Sequence, residues 1–132
     1  MSVPESVPEL SESVELAIEE LRQSFTLSVT PTGDGGAVVT VHDLPIDERW
    51  EPSTIDLLFE IPYNYPHAAI YPYYTTPELN RGDGGAWPTA LQRVSWREAP
   101  RTQISLRANR WNANVDTAVG AVLQVRRWFE TI

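Results

Sequence analysis

Leu10, Val14, Ala17, Ile18 and Leu21 recur at spacings of three and four, while Glu12, Glu15, Glu19 and Glu20 fill most of the opposite side. That period lays one apolar stripe along an α-helix and predicts one from Pro8 to Gln23. Ser6 and Glu9 fit a capping box, Pro8 sits where an early helical proline is tolerated, and the acids suit the positive end of the helix dipole. The period then changes to two. Phe25, Leu27 and Val29 alternate with Thr26, Ser28 and Thr30, which reads as a strand over Phe25 to Thr30. Thr32-Gly33-Asp34-Gly35-Gly36 is a turn, and Ala37 to Leu44 is the return strand of a hairpin. Pro45 to Ser53 is polar and irregular around Trp50. Ile55 to Ile61 forms a third strand and Ile70 to Thr75 a fourth, which Pro72 confines to an edge or a broken run. From Thr76 to about Arg101 no period holds, and Gly82, Gly84, Gly85, Pro88 and Pro100 punctuate the stretch. A long ordered loop, pinned by Trp87 and Trp96, is the expectation there. The last helix is predicted from about Ala113 to Phe129. Val115, Val119, Val122, Leu123 and Phe129 form its stripe, Asn112 or Asn114 its cap, and Arg126 and Arg127 lie in its last turns.

Helix, four-stranded antiparallel meander, long loop and helix make an α+β architecture with helices against one face of a sheet. The chain has 132 residues, which matches one domain over residues 8–132 behind a flexible arm of residues 1–7. No run approaches the ~20 apolar residues of a membrane span. The start, Met1-Ser2-Val3-Pro4-Glu5, has neither the basic residues nor the apolar run of a secretory signal, so a cytoplasmic location is expected.

Composition narrows the chemistry. Cysteine is absent, which excludes disulfides, thiolate metal sites and a cysteine nucleophile. Lysine is absent as well, which excludes Schiff-base mechanisms and self-modification on an internal lysine. His42 and His67 are too few for a structural zinc site, and no cofactor is expected. The net charge of −8 argues against nucleic acid and anionic membranes as partners. Residues 1–80 hold 14 acids against Arg22 and Arg49, whereas residues 81–132 hold eight arginines against four acids. Such asymmetry suits protein partners that read two surfaces of opposite sign, and equally a surface that aids solubility.

Two segments carry a family resemblance. Phe59-Glu60-Ile61-Pro62-Tyr63-Asn64-Tyr65-Pro66, followed by Ile70-Tyr71-Pro72, resembles the third strand and tyrosine-proline turn of the ubiquitin-conjugating enzyme fold. Thr102-Gln103-Ile104-Ser105-Leu106-Arg107, then Asn109-Arg110-Trp111 and a helix behind Val115-Asp116, is similar to that fold's active-site segment, where an Ile-Cys-Leu triplet precedes a tryptophan and a helix. Within the superfamily the pattern is similar to the prokaryotic ubiquitin-conjugating-like family E, over most of residues 8–130. Two departures from the eukaryotic pattern stand out. Ser105 occupies the place of the catalytic cysteine, and Val94-Ser95-Trp96-Arg97 stands where a His-Pro-Asn triplet is expected. Leu106-Arg107 also replaces the arginine-histidine pair expected after the serine in the bacterial branch.

The resemblance implies a carrier that accepts the C-terminal acyl group of a ubiquitin-like protein from an adenylating enzyme; both are then partners, and ATP is used by the activating partner. Ser105 has three readings: an acyl acceptor working through an oxyester, an inert hydroxyl in a non-catalytic docking module of the same fold, or a replacement for cysteine made to trap an intermediate. As an acceptor it needs a base. His67 and Asp116 are the candidates, and Asn109, Asn112 and Asn114 are candidate oxyanion donors. Each has a plainer reading: His67 as a surface residue, Asp116 as a helix cap, Trp111 as core packing rather than the floor of the site. Arg101, Arg107 and Arg110 are placed to guide an acidic tail. The acidic first helix is the candidate docking surface for the activating enzyme. Tyr63, Tyr65, Tyr71, Tyr73 and Tyr74 are either a partner-binding face or packing for the turn.

Overall fold

The computed structural model describes residues 10–106 and 111–132. Its elements run α1 (Glu12–Arg22), β1 (Thr26–Pro31), β2 (Ala37–Pro45), β3 (Trp50–Glu51), β4 (Thr54–Ile61), β5 (Tyr73–Thr75), β6 (Asn80–Arg81), β7 (Leu91–Trp96), β8 (Ala99–Ile104) and α2 (Ala118–Thr131). The main sheet has six strands in the order β1-β2-β4-β5-β8-β7, and β3 pairs with β6 in a two-stranded ribbon. All pairings are antiparallel.

The core forms where the alternating patterns meet. Ala37, Val39 and Val41 of β2 lie opposite Ile61, Phe59 and Leu57 of β4, and all six are buried. Val14, Ala17, Ile18 and Leu21 of α1 join them, together with Ala118, Ala121, Val122, Val125 and Phe129 of α2. Each large aliphatic side chain sealed in this way is worth about 1.5–3 kcal/mol. The hairpin turn ties the start of α1 to this core. The amide of Ser11 donates to the Gly35 carbonyl (2.9 Å), and its hydroxyl donates to the carbonyl of Tyr63 (3.0 Å). Gly36 leaves no room for a side chain, since a Cβ there would stand 2.7 Å from the Ile61 carbonyl oxygen.

The α+β order holds, with four corrections. The sheet is six-stranded rather than a four-stranded meander, because β7 and the start of β8 fall within the expected long loop, which also contains β6 of the ribbon. These strands lack an apolar alternation for a physical reason. On the core-facing side of the β7–β8 pair, Arg93 stands opposite Thr102, and its guanidinium bonds Thr102 Oγ1 (2.5 Å) and the Leu79 carbonyl (2.5 Å). The hydroxyl of buried Thr102 donates in turn to the Thr76 carbonyl (2.8 Å). Polar groups thus satisfy one another where apolar ones were sought. The turn between these strands, Arg97-Glu98, has positive φ at both residues (51° and 63°) without a glycine to announce it. As expected, the tryptophans pin this region: Trp96 stacks on Tyr74 at 4.0 Å, and Trp87 lies edge-on to Trp50 at 6.3 Å.

The other corrections concern boundaries. The fourth strand is only Tyr73–Thr75, beginning after Pro72, and lies inside the sheet between β4 and β8. Trp50 is buried at 1% exposure in β3 rather than sitting in an irregular loop. The last helix begins at Ala118, not near Ala113, and Val115 and Leu123 are exposed. Its first turn is set by Thr117, whose hydroxyl accepts from the Gly120 amide (3.1 Å). Within the described residues α1 begins at Glu12; the capping box at Ser6 and Glu9, and the arm of residues 1–7, lie outside them. The C-terminal end of α2 is closed by Arg49, which donates to the carbonyls of Phe129 (3.3 Å) and Glu130 (2.7 Å).

Burial pushes the Tyr73 hydroxyl from its ordinary 10.0 up to about 12. Between those values the unfolded chain binds fewer protons than the folded one, so stability falls as pH rises through that window. The slope for one such group is about 1.4 kcal/mol per pH unit. Urea unfolding followed from about pH 9 to about pH 11 should show this loss, and Tyr73→Phe should make the profile flatter. Identical slopes in the two proteins would refute the assignment.

Candidate functional site

The tyrosine-proline turn is the hub of the site. Its backbone closes through Tyr65 N–H to the Pro62 carbonyl (2.9 Å) and His67 N–H to the Asn64 carbonyl (2.8 Å). This turn aims the Tyr65 ring inward, where it is 7% exposed. Its hydroxyl accepts the amide of Ala118, the first residue of α2 (3.0 Å). That amide is one of the four a helix cannot satisfy from within itself. Burial raises the Tyr65 hydroxyl above the ordinary tyrosine range, against the smaller opposing effect of the Ala118 amide. Trp111 adds a second link: its indole N–H donates to the Pro66 carbonyl (2.6 Å), with its ring 6.3 Å from that of Tyr65.

The segment between Trp111 and α2 is a tight polar turn. The Asp116 carboxylate accepts from the Asn112 amide (2.6 Å), and the Asp116 amide donates back to the Asn112 carbonyl (2.8 Å). The Asn112 side chain accepts from the Asn114 amide (2.9 Å). Trp111, Asp116, Thr117, Gly120, Ala121 and Gln124 enclose a small cleft of about 100 Å³.

Ser105 follows β8 directly. Its amide extends the β8–β7 ladder to the Ala90 carbonyl (2.8 Å), and its hydroxyl accepts from the Gln103 side-chain amide (2.9 Å). It is half-buried, as are Arg101 and Gln103, whereas the intervening Thr102 and Ile104 are buried. Arg101, Gln103 and Ser105 therefore share the face of β8 that points away from the core.

The candidate residues fall into separate groups. Asp116 is engaged with Asn112, and the same turn carries Asn114. His67 is exposed beside the tyrosine-proline turn. Among the described residues, Ser105 has no hydrogen bond to His67 or to Asp116, and its side-chain partner is Gln103. Asn109, Arg107 and Arg110 lie outside the described residues. Gln103 was missed by sequence reasoning because residues 99–104 were not read as a strand. The period of two would have placed it beside Ser105. The bonds of Tyr65 to Ala118 and of Trp111 to Pro66 span 53 and 45 residues and leave no local pattern.

An amino-terminal helix, an antiparallel sheet, a tyrosine-proline turn and a tryptophan ahead of a closing helix define an E2-like, that is ubiquitin-conjugating-like, fold. The model of prokaryotic E2 family E matches residues 19–131, and the chain belongs to that family. No curated protein and no solved structure matches the chain. No helix among the described residues is long and apolar enough to cross a membrane.

Replacing Tyr65 by Phe leaves the Ala118 amide without its acceptor. The expected cost is about 1–3 kcal/mol, with faster amide hydrogen exchange confined to the first turn of α2. Exchange there at the wild-type rate would show that the hydroxyl does not hold the helix start.

Proposed function

We propose that this protein works in a bacterial ubiquitin-like modification pathway as the conjugating-type carrier, receiving the C-terminal acyl group of a ubiquitin-like protein from an adenylating enzyme. Ser105 is the acceptor in this reading. Its Oγ attacks the activated carbonyl, an oxyester forms, the bond to the activating enzyme's leaving group breaks, and the serine proton leaves with that group. The observation that carries the reading is the position of Ser105: a half-exposed hydroxyl at the end of β8, on the strand face it shares with Arg101 and Gln103. Arg101 lies four residues upstream, ~13 Å along an extended strand, and suits an acidic side chain in an arriving tail. The Gln103 amide, which already donates to Oγ, suits negative charge developing on that oxygen.

The same hydrogen bond favours a second reading. A serine hydroxyl needs a base to be a good nucleophile, and Gln103 supplies a donor rather than a base. The protein is then a non-catalytic module of the family that holds the ubiquitin-like protein or its activating enzyme. Incubation with the activating enzyme, ATP and the ubiquitin-like protein, followed by intact mass spectrometry, separates the two. The carrier reading expects a base-labile adduct that is lost in Ser105→Ala. Complex formation without an adduct, unchanged in Ser105→Ala, supports the module and removes the carrier.

The surface proposed for the activating enzyme is α1. Glu12, Glu15, Glu19 and Glu20 are exposed along it. Leu16, at 59% exposure, flanks a groove of about 300 Å³ completed by Ser13, Ala17, Glu20, Tyr65 and Pro66. An acidic rim around an apolar contact suits a basic partner surface, and charge of this kind acts mainly on association rate. Glu15→Arg with Glu19→Arg should slow association several-fold at low ionic strength and much less at high salt, measured by stopped flow. Equal rates at low salt would place the contact elsewhere.

A further inference from the structure

Away from Ser105, on the face of the sheet that the core does not use, three strands bring Ser28, His42 and Asp56 into one line. The Ser28 hydroxyl lies 2.6 Å from His42 Nε2, and His42 Nδ1 lies 3.5 Å from Asp56 Oδ2. The strand pairing aims the middle ring. Thr26 is the register partner of His42, so Ser28 reaches the ring on the diagonal. The β2–β4 register slips between Val41 and Leu44, and within this bulge Asp43 adopts a left-handed backbone (φ 55°). That conformation points the Asp43 amide at Asp56 Oδ1 (3.1 Å). One carboxylate oxygen is thereby held by the backbone while the other faces the imidazole. Bulges of this kind re-aim side chains beside reactive sites.

We propose that Ser28 is an activated nucleophile, with His42 as its base and Asp56 as the residue positioning the imidazole, and that this site accepts acyl groups from small activated carboxylic esters. The Asp56 carboxylate draws the ring proton to Nδ1 and leaves Nε2 free to take the serine proton. In the acylation step the Ser28 Oγ–carbon bond forms and the proton passes to His42 Nε2. The ester C–O bond then breaks, and the leaving alcohol takes the proton from His42. Water repeats the sequence to release the acid. Ser28 lies on β1, an edge strand, where alternate backbone amides point away from the neighbouring strand and are available to an oxyanion. Ser28 and Asp56 are exposed and His42 is half-exposed. Such an open site suits small substrates and a rate linear in substrate concentration.

This site does not depend on the pathway reading, and its test uses neither the activating enzyme nor a ubiquitin-like protein. The full chain is treated with p-nitrophenyl acetate and, separately, with a fluorophosphonate probe, and the adduct is mapped by peptide mass spectrometry. Labelling at Ser28, lost in Ser28→Ala and slowed at least tenfold in His42→Gln, is expected. No adduct, or an adduct on another residue, overturns the proposal. A second measurement tests the environment directly. The chain has no cysteine, so Ser28→Cys introduces a single thiol whose ionisation is read from its ultraviolet absorbance. His42 should lower its pKa below the ordinary value of about 8.5, and His42→Gln should restore it. Asp56→Asn should shift the pH profile of alkylation while leaving the thiol in place. Among the described residues, the other titratable or charged groups on this face of the packed strands are Glu60 of β4, Tyr74 of β5 and Arg101 of β8, with Asp43 in the bulge beside Asp56; β1 contributes Thr26, Ser28 and Thr30. A thiol that titrates at the ordinary value, with or without His42, overturns the proposal.

Discussion

The site hangs on one hydrogen bond, from the Ala118 amide to the hydroxyl of Tyr65. Tyr65 belongs to a turn that leaves β4, and Ala118 opens the closing helix, so the bond joins the middle of the sheet to the last element of the chain. Burying a helix amide without a partner is costly. Trp111 runs a second bond to the same turn, its ring tilted against that of Tyr65. Together they fix the start of α2 and the segment just before it to the tyrosine-proline turn. Arg49 acts at the opposite end of α2, taking two of its last carbonyls. Both ends of that helix are therefore capped by groups far away in sequence, and its placement follows from tertiary contacts more than from its own stripe.

A second network holds the part of the chain with the least regular sequence. Arg81 lies over the Trp50 ring at 5.1 Å and grips both oxygens of Asp83, and the Gly82 amide reaches the Arg49 carbonyl (2.7 Å). The guanidinium holds the Asp83 carboxyl well below the usual carboxylate range. Arg93 covers the Trp87 ring at 4.4 Å while bonding inward to Thr102 and the Leu79 carbonyl. In a chain without lysine, arginine is used structurally: its planar head stacks on aromatic rings and donates in several directions at once. The positive excess of the second half is therefore partly spent within the fold.

Membership of a family and the chemistry of a site are separate conclusions. The fold and the family model agree on an E2-like protein, and the function proposed above makes Ser105 its acceptor. Hydroxyl chemistry is decided by neighbours. Ser105 faces an amide donor, whereas Ser28 faces an imidazole backed by a carboxylate. The two proposals thus make opposite demands: an acceptor at Ser105 relies on an activated donor brought by a partner, whereas a nucleophile at Ser28 has its own base beside it.

Much of this was legible from the order of residues. The stripe of α1, the alternation in β1, β2 and β4, and the glycine turn between the first two strands are local patterns, in which sequence spacing alone sets which face each side chain takes. The short motifs around Pro62 and Ser105 carried the family. The β7–β8 hairpin was hidden because its core-facing side pairs an exposed Arg93 with a buried Thr102, which bond each other and carbonyls from another loop. The start of α2 was misplaced because Asn112 to Asp116 form a turn whose capping residues resemble a helix beginning. Which group meets Ser105, and that Ser28, His42 and Asp56 meet at all, was decided only by strand pairing. These three lie at intervals of 14 residues along the chain, and only the register of β1, β2 and β4, with its bulge, closes those intervals to 2.6 Å and 3.5 Å.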